Sequence, residues 1–352
     1  MKKGITGIFK ASKIAKQVLI SKITGKRIPI AVNFHLNTDC NLRCKYCYAN
    51  VDSRFDSHPV DLNTEQVLGL IDEMYKAGTR WLILLGGEPL LRQDIGEIVA
   101  HIKKKGIICE IVTNGTLVKN RIDAIKDVDL LCVSCDGDEI ANDIMRGNGT
   151  YKKIVEGIGA ASANGINIRI HAVLSRHNIN KKALDSLVEL AEKNRATLGY
   201  SVAITHEYNN MPELNVPDNE TREFWKMLKE YKKKGKPVYN TIAVLDYLLG
   251  WPISYQKVIK KMEDWPDKKF RPRPCFAGKR MCYIDCQGFV YPCIVLGVKK
   301  GLNVKEVGFK KAWDALESFS CGACGFPQYI ETNNVLDLKA HSILLGLKTF
   351  LK

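Results

Sequence analysis

The sequence predicts an α/β protein built on a parallel sheet that is wrapped by helices. From residue 31 to about residue 205, short β-rich runs alternate with longer amphipathic stretches. About six strand-and-helix units fit this region, which is fewer than the eight that close a full barrel. Beyond it, six cysteines within residues 275–324 mark a second, smaller region.

Each unit is predicted from its own pattern of apolar residues and chain breakers. The expected strands are 29–36, 81–85, 107–112, 129–134, 167–174 and 198–204. Helices are expected near 64–77, 94–105, 119–127, 150–164 and 180–194. Asn63 or Thr64 is the expected first helix cap, and Gly78, Gly106 and Gly165 are the expected stops.

The chain divides into five parts by composition. These are a basic amphipathic segment (1–30), a core (31–215), a helical linker (216–265), a cysteine-rich domain (266–335) and an amphipathic C-terminal helix (336–352). Pro212 and Pro217 mark the end of the core. Within the cysteine-rich domain we expect a hairpin around 285–288 and a helix near 304–318.

The composition is that of an ordinary soluble protein, with 45% hydrophobic and 26% charged residues. No run of about 18 uncharged apolar residues predicts a membrane span. The N-terminus has scattered lysines in place of the apolar block of a signal peptide, so we expect a cytoplasmic protein. In such a compartment, 12 cysteines indicate metal or redox chemistry. Cys109, Cys132 and Cys135 lie in or beside apolar runs and are expected to be small buried hydrophobes.

Three cysteines stand close together in the loop after the first predicted strand. Their spacing, Cys40-x3-Cys44-x2-Cys47, lets three thiolates converge on one face of a [4Fe–4S] cubane. Three ligands leave one iron open, so a small molecule can chelate it through amino and carboxylate groups. A structural zinc site is the alternative, although it normally needs a fourth protein ligand.

Polar or glycine-rich motifs follow the next three strands, where barrel-type sites collect their ligands. Gly86-Gly87-Glu88-Pro89 follows the second strand, and its glycines allow the backbone to approach a ligand's ammonium while Glu88 offers charge. Thr113 and Asn114 follow the third strand, and Ser134 and Asp136 follow the fourth. Each motif alone could be an ordinary turn. Their repetition in strand order predicts a shared site.

Together these motifs resemble the radical S-adenosylmethionine (SAM) superfamily. Tyr46, the aromatic residue before the last cysteine of the triplet, and the Gly-Gly-Glu-Pro run match the family's motifs. The segment 134–137 followed by 143–147 is similar to the SPASM/twitch branch. The resemblance implies a partial (β/α)6 TIM-type barrel, reductive cleavage of SAM, and a 5′-deoxyadenosyl radical that abstracts hydrogen. The residues that it assigns to SAM are Tyr46, Gly86, Gly87, Glu88, Pro89, Ser134, Asp136 and Arg146. Thr113 and Asn114 are added as SAM-binding residues because of their place after the third strand.

A second set of cysteines can ligate another metal group. Cys275 and Cys293 flank the predicted hairpin, and Cys321-x2-Cys324 follows it. On ligand count alone, a four-cysteine zinc site fits nearly as well as an iron–sulfur cluster. The resemblance implies a twitch domain, a shortened SPASM domain with one auxiliary [4Fe–4S] cluster, and hence two clusters in all. Cys286 is not expected to be a ligand, and Cys282 is an alternative fourth ligand.

The expected function is a radical SAM oxidoreductase acting on a small-molecule or lipid-type substrate. A fully ligated auxiliary cluster suits removal of an electron from a substrate radical, and therefore net oxidation. A peptide-modifying maturase is the alternative, since such enzymes share this core. An electron donor such as a flavodoxin or ferredoxin is implied. No nucleic-acid partner is expected, because no RNA or DNA module is recognisable.

The two ends of the chain are predicted to be basic amphipathic helices. Residues 1–30 hold eight Lys or Arg and no acid, about half of the net charge of +15. The two apolar stripes comprise Ile8, Ala11, Ala15 and Leu19 at the N-terminus, and Leu336, Ala340, Ile343, Leu347 and Phe350 at the C-terminus. Such helices suit contact with an anionic membrane surface or a lipid-like substrate, and equally suit packing on the barrel.

Overall fold

A computed structural model describes residues 2–47, 60–203, 214–255, 269–294, 301–316 and 323–342. The strands in these ranges are β1 (Ala31–His35), β2 (Trp81–Leu85), β3 (Ile108–Thr113), β4 (Leu130–Ser134), β5 (Ile168–Leu174), β6 (Thr197–Val202), β7 (Met281–Ile284) and β8 (Val290–Tyr291). The first helices are α1 (Lys2–Thr24), α2 (Thr64–Ala77), α3 (Ile95–Lys105), α4 (Val118–Ile125), α5 (Glu139–Arg146) and α6 (Thr150–Ala163). The later helices are α7 (Lys181–Lys193), α8 (Asp218–Lys233), α9 (Ile242–Leu249), α10 (Val304–Val307), α11 (Phe309–Asp314) and α12 (Pro327–Leu336).

Strands β1 to β6 lie side by side in chain order, and every neighbouring pair is parallel. The predicted partial barrel of β/α units is therefore confirmed, with strand limits within three residues of the expected ones. Because the strands are parallel, the loops that follow β1, β2, β3 and β4 all leave the same end of the sheet. Those loops carry the cysteine triplet and the three polar motifs.

The cysteine-rich hairpin joins the barrel sheet, which the sequence did not predict. β7 pairs in parallel with β1, and β8 pairs antiparallel with β7. The predicted helix near 304–318 is broken at Gly308, whose φ of 75° separates α10 from α11. Helix α5 was also missed, although Asp138 caps it by accepting a hydrogen bond from the Ala141 N–H.

Local signals define the helix ends as expected. Asn63 caps α2 and forms a capping box with Gln66. Gly78 and Gly106 end α2 and α3 in the left-handed conformation, with φ of 113° and 67°. Gly165, with φ 66°, follows the Asn164 cap of α6. The three predicted stops therefore lie where the helices end.

The sheet separates two apolar clusters. Alternate strand residues face opposite sides, so Val32 and Phe34 of β1 pack toward the outer helices. Trp81, Ile83 and Leu85 of β2 face the barrel interior instead. Cys109 and Cys135 are buried in the outer cluster, as expected, whereas the buried Cys132 lines an interior cavity.

Helix α1 covers the end of the barrel at which the strands begin. Its Ile14 and Val18 pack against a cluster that includes Ile30, Trp81 and Ile108. Lys10 is buried and forms an ion pair of 2.7 Å with Asp129, the residue before β4. No helix among the described residues is long and apolar enough to cross a membrane.

Helix α12 lies along the side of the barrel that the six strands leave open. At its first turn, the Gln328 amide donates a hydrogen bond of 3.1 Å to the Tyr200 carbonyl oxygen of β6. At its last turn, Leu336 joins the interior cluster that contains Ile14 and Met281. The C-terminal region thus supplies one wall of the barrel interior.

Candidate active site

The three cysteines of the first cluster lie at the mouth of one cavity. Cys40, Cys44 and Cys47 are half-buried free thiols, and all three line this cavity of about 360 Å³. Burial raises the pKa of Cys44 to about 11, against the opposite effect of Arg146. Within the described residues, no three Cys, His, Asp or Glu side chains are grouped for a single metal ion. The fit to a cluster rests on three thiols facing one shared space.

The glycines after β2 are required by the close approach of the cysteine loop. A Cβ atom on Gly86 would lie 2.4 Å from Asn37 Oδ1, and one on Gly87 would lie 2.2 Å from the Asp39 carbonyl oxygen. The Gly87 N–H donates to the Asn37 carbonyl oxygen at 2.7 Å, and the Glu88 N–H donates likewise to Asp39. Gly86 and Gly87 also line the cavity. Gly86 and Gly87 therefore allow the cysteine loop to pack closely and also form part of the cavity wall.

Glu88 is not among the residues that line the cavity. Its fully buried carboxylate accepts hydrogen bonds from the Leu90 N–H at 3.0 Å, and from the Thr113 hydroxyl and Asn114 N–H at 2.7 Å each. Burial raises its pKa, although these donors act in the opposite direction. Glu88 thus joins the ends of β2 and β3. Pro89 is buried and begins a short 3₁₀ turn.

Asn114 links the β3 loop to the first cysteine. Its side-chain amide lies 3.8 Å from Cys40 Sγ and donates a hydrogen bond of 2.8 Å to Asn41 Oδ1. Thr113 and Asn114 both line the cavity. The amide can therefore hold the cysteine loop and still face a ligand.

A buried network connects the β4 loop to the middle cysteine. Asp136, fully buried, accepts from Arg146 Nε at 2.7 Å and from the Tyr46 hydroxyl at 2.6 Å. Arg146 also donates to the Tyr46 oxygen, and its Nη1 lies 4.0 Å from Cys44 Sγ. Tyr46, Arg146 and Ser134 line the cavity, whereas Asp136 stands behind Arg146 and orients it.

The second set of cysteines is only partly within the described ranges. Cys275 and Cys324 lie near each other; burial raises the pKa of Cys324 to about 12, and the Cys275 charge adds to this. Cys293 is half-buried and precedes Ile294, which lines the cavity. Cys321 lies outside the described residues.

The two remaining cysteines of this region face elsewhere. Cys282 is buried in the outer apolar cluster, on the opposite side of β7 from Met281 and Tyr283. The Cys286 thiol contacts the Asp61 carboxylate, and Asp61 in turn accepts from the Thr38 N–H at 3.2 Å. Cys286 therefore supports the start of the first cysteine loop.

The cavity continues into the barrel interior, where no site residue was predicted from the sequence. Arg169 of β5 and Glu110 of β3 form a buried ion pair across β4. His171 follows Arg169 by two residues in β5. Its Nε2 lies 3.0 Å from Ser201 Oγ, and Gln328 Nε2 lies 2.9 Å from its Nδ1. Burial, followed by the nearby Arg169, lowers the pKa of His171 to about 3, so this imidazole is neutral.

A sequence signal for these residues did exist. Arg169 and His171 are two residues apart in an otherwise apolar strand, and Glu110 lies in the middle of another. Polar residues at alternate positions of a barrel strand point inward together. That pattern predicts a polar interior wall.

Comparison with known proteins identifies the family. A model described as the radical SAM superfamily matches residues 36–191. An AdoMet-dependent heme synthase from Nitratidesulfovibrio vulgaris is 25% identical over 315 residues, covering 84% of each chain. The mycofactocin maturase MftC of Mycobacterium ulcerans is 26% identical over 328 residues, covering 86% of this chain and 80% of that one.

A solved structure shows the same fold. Streptococcus suis SuiB bound to S-adenosylmethionine superposes with a TM-score of 0.63 at 16% identity, covering 87% of this chain and 68% of that one. The matching domain spans the three cysteines and the motifs after β2, β3 and β4. From these matches, and from the residues that line the cavity, residues 36–191 of this chain are a radical SAM domain.

Proposed function

We propose that this protein cleaves SAM reductively and removes a hydrogen atom from a small molecule held on the β5, β6 and α12 side of the cavity. One observation carries the proposal: the three cysteines and the polar wall of His171 and Ser201 line the same cavity. A radical formed at the mouth would have direct access to a molecule bound deeper in the barrel.

Residues from four loops would hold the cofactors. A [4Fe–4S] cluster on Cys40, Cys44 and Cys47 supplies, when bound, the electron that cleaves SAM. Gly86, Gly87, Thr113, Asn114 and Ser134 line the adjacent wall and would contact SAM, together with Tyr46 and Arg146. Asp136 keeps the Arg146 guanidinium in place, and Glu88 keeps the β2 and β3 loops together.

The opposite wall offers a directed hydrogen bond to the substrate. Gln328 Nε2 lies 2.9 Å from His171 Nδ1 and 3.2 Å from His171 Nε2, and its donation to the nearer nitrogen would place the proton of the neutral imidazole on Nε2. His171 Nε2–H then donates to Ser201 Oγ, so the Ser201 hydroxyl proton is left for an oxygen of the substrate. Val173, Val202 and Leu214 add apolar surface beside these groups. The substrate is therefore a mostly apolar molecule, or molecular end, with an acceptor oxygen.

The size of the cavity limits the substrate. Its volume of about 360 Å³ is near the lower end for small-molecule sites, and it must also accommodate SAM. Beside SAM, the remaining space would admit only a compact substrate or the reacting end of a larger one. The match to a heme synthase supports a small-molecule substrate.

A peptide maturase is the second candidate. The match to MftC, over 86% of this chain, favours it, because a maturase would need only one peptide side chain to enter the cavity. Both candidates share the cysteines and the SAM-facing wall, so only the identity of the substrate separates them.

An auxiliary cluster would be held by Cys275, Cys293, Cys321 and Cys324. The proximity of Cys275 and Cys324 supports this assignment, since the two come from distant parts of the sequence. Such a cluster near the barrel would accept an electron from a substrate radical, and the net reaction would then be an oxidation. A flavodoxin or ferredoxin would supply the electron for SAM cleavage.

The first experiment tests SAM cleavage. Anaerobically reconstituted protein with dithionite and SAM should form 5′-deoxyadenosine. Cys44→Ala should reduce this product to background, whereas Cys282→Ala, which alters a core thiol that faces away from the cavity, should retain it. The proposal would be contradicted if neither Cys44→Ala nor Cys282→Ala lost activity, or if the wild-type protein formed no 5′-deoxyadenosine.

A second experiment separates the two substrate classes. An extract of the source organism grown in D₂O is divided by ultrafiltration and added to the assay in H₂O. We expect deuterium in 5′-deoxyadenosine with the low-molecular-weight fraction, both before and after protease treatment. If transfer requires the protease-sensitive fraction, the peptide maturase is correct.

A further inference from the structure

Helix α1 has two apolar sides, and only one of them packs on the barrel. The barrel-facing side consists of Lys10, Ile14, Val18 and Ser21, all buried, at the spacing of three or four residues that defines one helix face. This is not the stripe of Ile8 and Leu19 that the sequence analysis singled out. That stripe faces away from the barrel.

The outward side of α1 exposes large apolar residues. Ile8 is 50% exposed, Phe9 60%, Leu19 48% and Ile23 82%. These four are half of the eight large hydrophobic residues that are exposed in the described part of the chain. Leu19 follows Ile8 by eleven residues, which is about three turns, and Ile23 follows Leu19 by four residues, which is about one turn. The three side chains therefore lie on one side of the helix. Such a concentration on one helix indicates an interaction surface.

Lysines surround this apolar surface. Lys16, Lys22 and Lys26 are exposed, and the Lys13 ammonium lies 4.6 Å from the centre of the Phe9 ring. Residues 1–30 contain no acid. Of these four lysines, only Lys22 forms an ion pair with a carboxylate in the described ranges, with Asp337 at 2.9 Å. The positive charge of the surface is therefore largely available to a partner.

We propose that α1 docks this protein on an anionic membrane surface, with Ile8, Phe9, Leu19 and Ile23 inserted at the level of the lipid headgroups. An apolar helix side edged by lysines matches such a surface in both hydrophobicity and charge. A second copy of the chain is a poorer occupant, because a two-fold pairing would bring the lysines of both copies together. Residues 343–352 carry Lys348 and Lys352 and no acid, so their charge also opposes contact with α1.

The position of α1 sets the orientation on the membrane. α1 covers the end of the barrel at which the strands begin, next to Trp81 and Ile108. The cysteines and the cavity mouth lie at the other end, where the strands finish. Docking through α1 therefore points the active site away from the bilayer. The substrate enters from the aqueous side, and membrane binding is independent of SAM cleavage.

The test is vesicle flotation of the full-length, cluster-loaded protein. Wild-type protein should float with vesicles of phosphatidylcholine and phosphatidylglycerol, but not with vesicles of phosphatidylcholine alone. Leu19→Glu/Ile23→Glu should abolish flotation, while the matched control Val60→Glu/Leu302→Glu, which changes exposed apolar residues elsewhere, should retain it. Lys16→Glu/Lys26→Glu should weaken binding by roughly a factor of 20 or more.

Further measurements keep the outcomes distinct. All variants should melt as the wild type does and form 5′-deoxyadenosine at the wild-type rate, because the altered side chains are exposed and none of them lines the cavity. Flotation that survives Leu19→Glu/Ile23→Glu but is lost on removing residues 343–352 would overturn the proposal. So would a wild-type dimer that becomes a monomer in this variant, or equal binding to neutral vesicles.

Discussion

Arg146 contacts the middle cysteine and links it to the β4 loop. It lies 4.0 Å from Cys44 Sγ, is held by Asp136 at 2.7 Å, and stacks on Tyr46 with 5.5 Å between the guanidinium and the ring centre. Burial lowers the pKa of Arg146, but Asp136, Tyr46 and Cys44 together more than offset this, with Asp136 first among them. Asp136 is therefore the carboxylate that compensates for burying the charge of Arg146.

Asp136→Asn should destabilise the protein strongly. The substitution keeps the shape but leaves the buried guanidinium without a counter-charge, which costs roughly 3–5 kcal/mol. Anaerobic chemical denaturation measures the effect. Asp127→Asn is the control, because Asp127 is 62% exposed and its contact with Lys103 is 3.8 Å long; its cost should stay below about 0.5 kcal/mol. Similar losses of unfolding free energy in both variants would show that the buried Asp136–Arg146 pair stabilises the protein no more than an exposed ion pair does.

His171 should make the folded protein sensitive to acid. Its pKa is about 3 in the folded state and about 6.5 when unfolded. Between these values the unfolded chain binds a proton that the folded chain does not, so stability falls as the pH drops from about 6.5 toward 3. His171→Gln removes this contribution. The denaturation midpoint should therefore fall less between pH 7.5 and 5.5 in the variant; parallel losses would contradict the assignment.

Among the elements, the turn after β2 illustrates how local backbone geometry supports the cysteine loop. Gly87 approaches the Asp39 carbonyl so closely that no side chain fits, and Asp39 immediately precedes Cys40. The glycine pair was predicted from its place after a strand. The close approach of the cysteine loop, however, is what requires a residue without a side chain at position 87.

Gly87→Ala should disturb the first cluster site. A Cβ atom 2.2 Å from the Asp39 carbonyl oxygen must displace the backbone that carries Cys40. We expect 5′-deoxyadenosine formation to fall by more than about tenfold, because catalysis is sensitive to displacements near 1 Å. Gly159→Ala is the matched control: this α6 glycine has nothing within 4 Å of the added atom, and activity should be unchanged. Full activity in Gly87→Ala would show that the contact relaxes freely.

For the whole molecule, the C-terminal region and the barrel form one structure. β7 extends the sheet beside β1, and α12 brings Gln328 to His171 in the cavity. Gln328 follows Cys324 by only four residues, and the Phe326 N–H lies 3.4 Å from Cys324 Sγ. The proposed auxiliary cluster is therefore linked by a short segment to the substrate wall.

Iron content tests the auxiliary cluster. The reconstituted wild-type protein should contain about eight irons per chain, as two [4Fe–4S] clusters require. Cys275→Ala should lower this to about four and leave dithionite-driven SAM cleavage in place, whereas Cys282→Ala should keep about eight. A wild-type value near four, with zinc present, would support the four-cysteine zinc site instead.

Much of the fold could be predicted because its signals are local. Apolar runs, helix caps and glycine stops lie within a few residues of the elements that they define, as for Asn63 and Gly78. The family was predicted from Cys40, Cys44, Cys47 and the motifs after β2 to β4, and it is confirmed. The pairing of β7 with β1 could not be predicted, because it joins segments about 250 residues apart in the sequence.

The sequence by itself determined the chemistry that this protein can host, because the cysteine spacing and the motifs at strand ends act over short stretches of chain. Only the tertiary structure decided what each motif residue contacts. Glu88 accepts a hydrogen bond from Thr113, and Asp136 accepts one from Arg146. Arg169 and His171 line the interior of the cavity. It also decided which side of α1 is buried. Burial depends on how distant elements pack, and α1 had two apolar sides from which packing selected one.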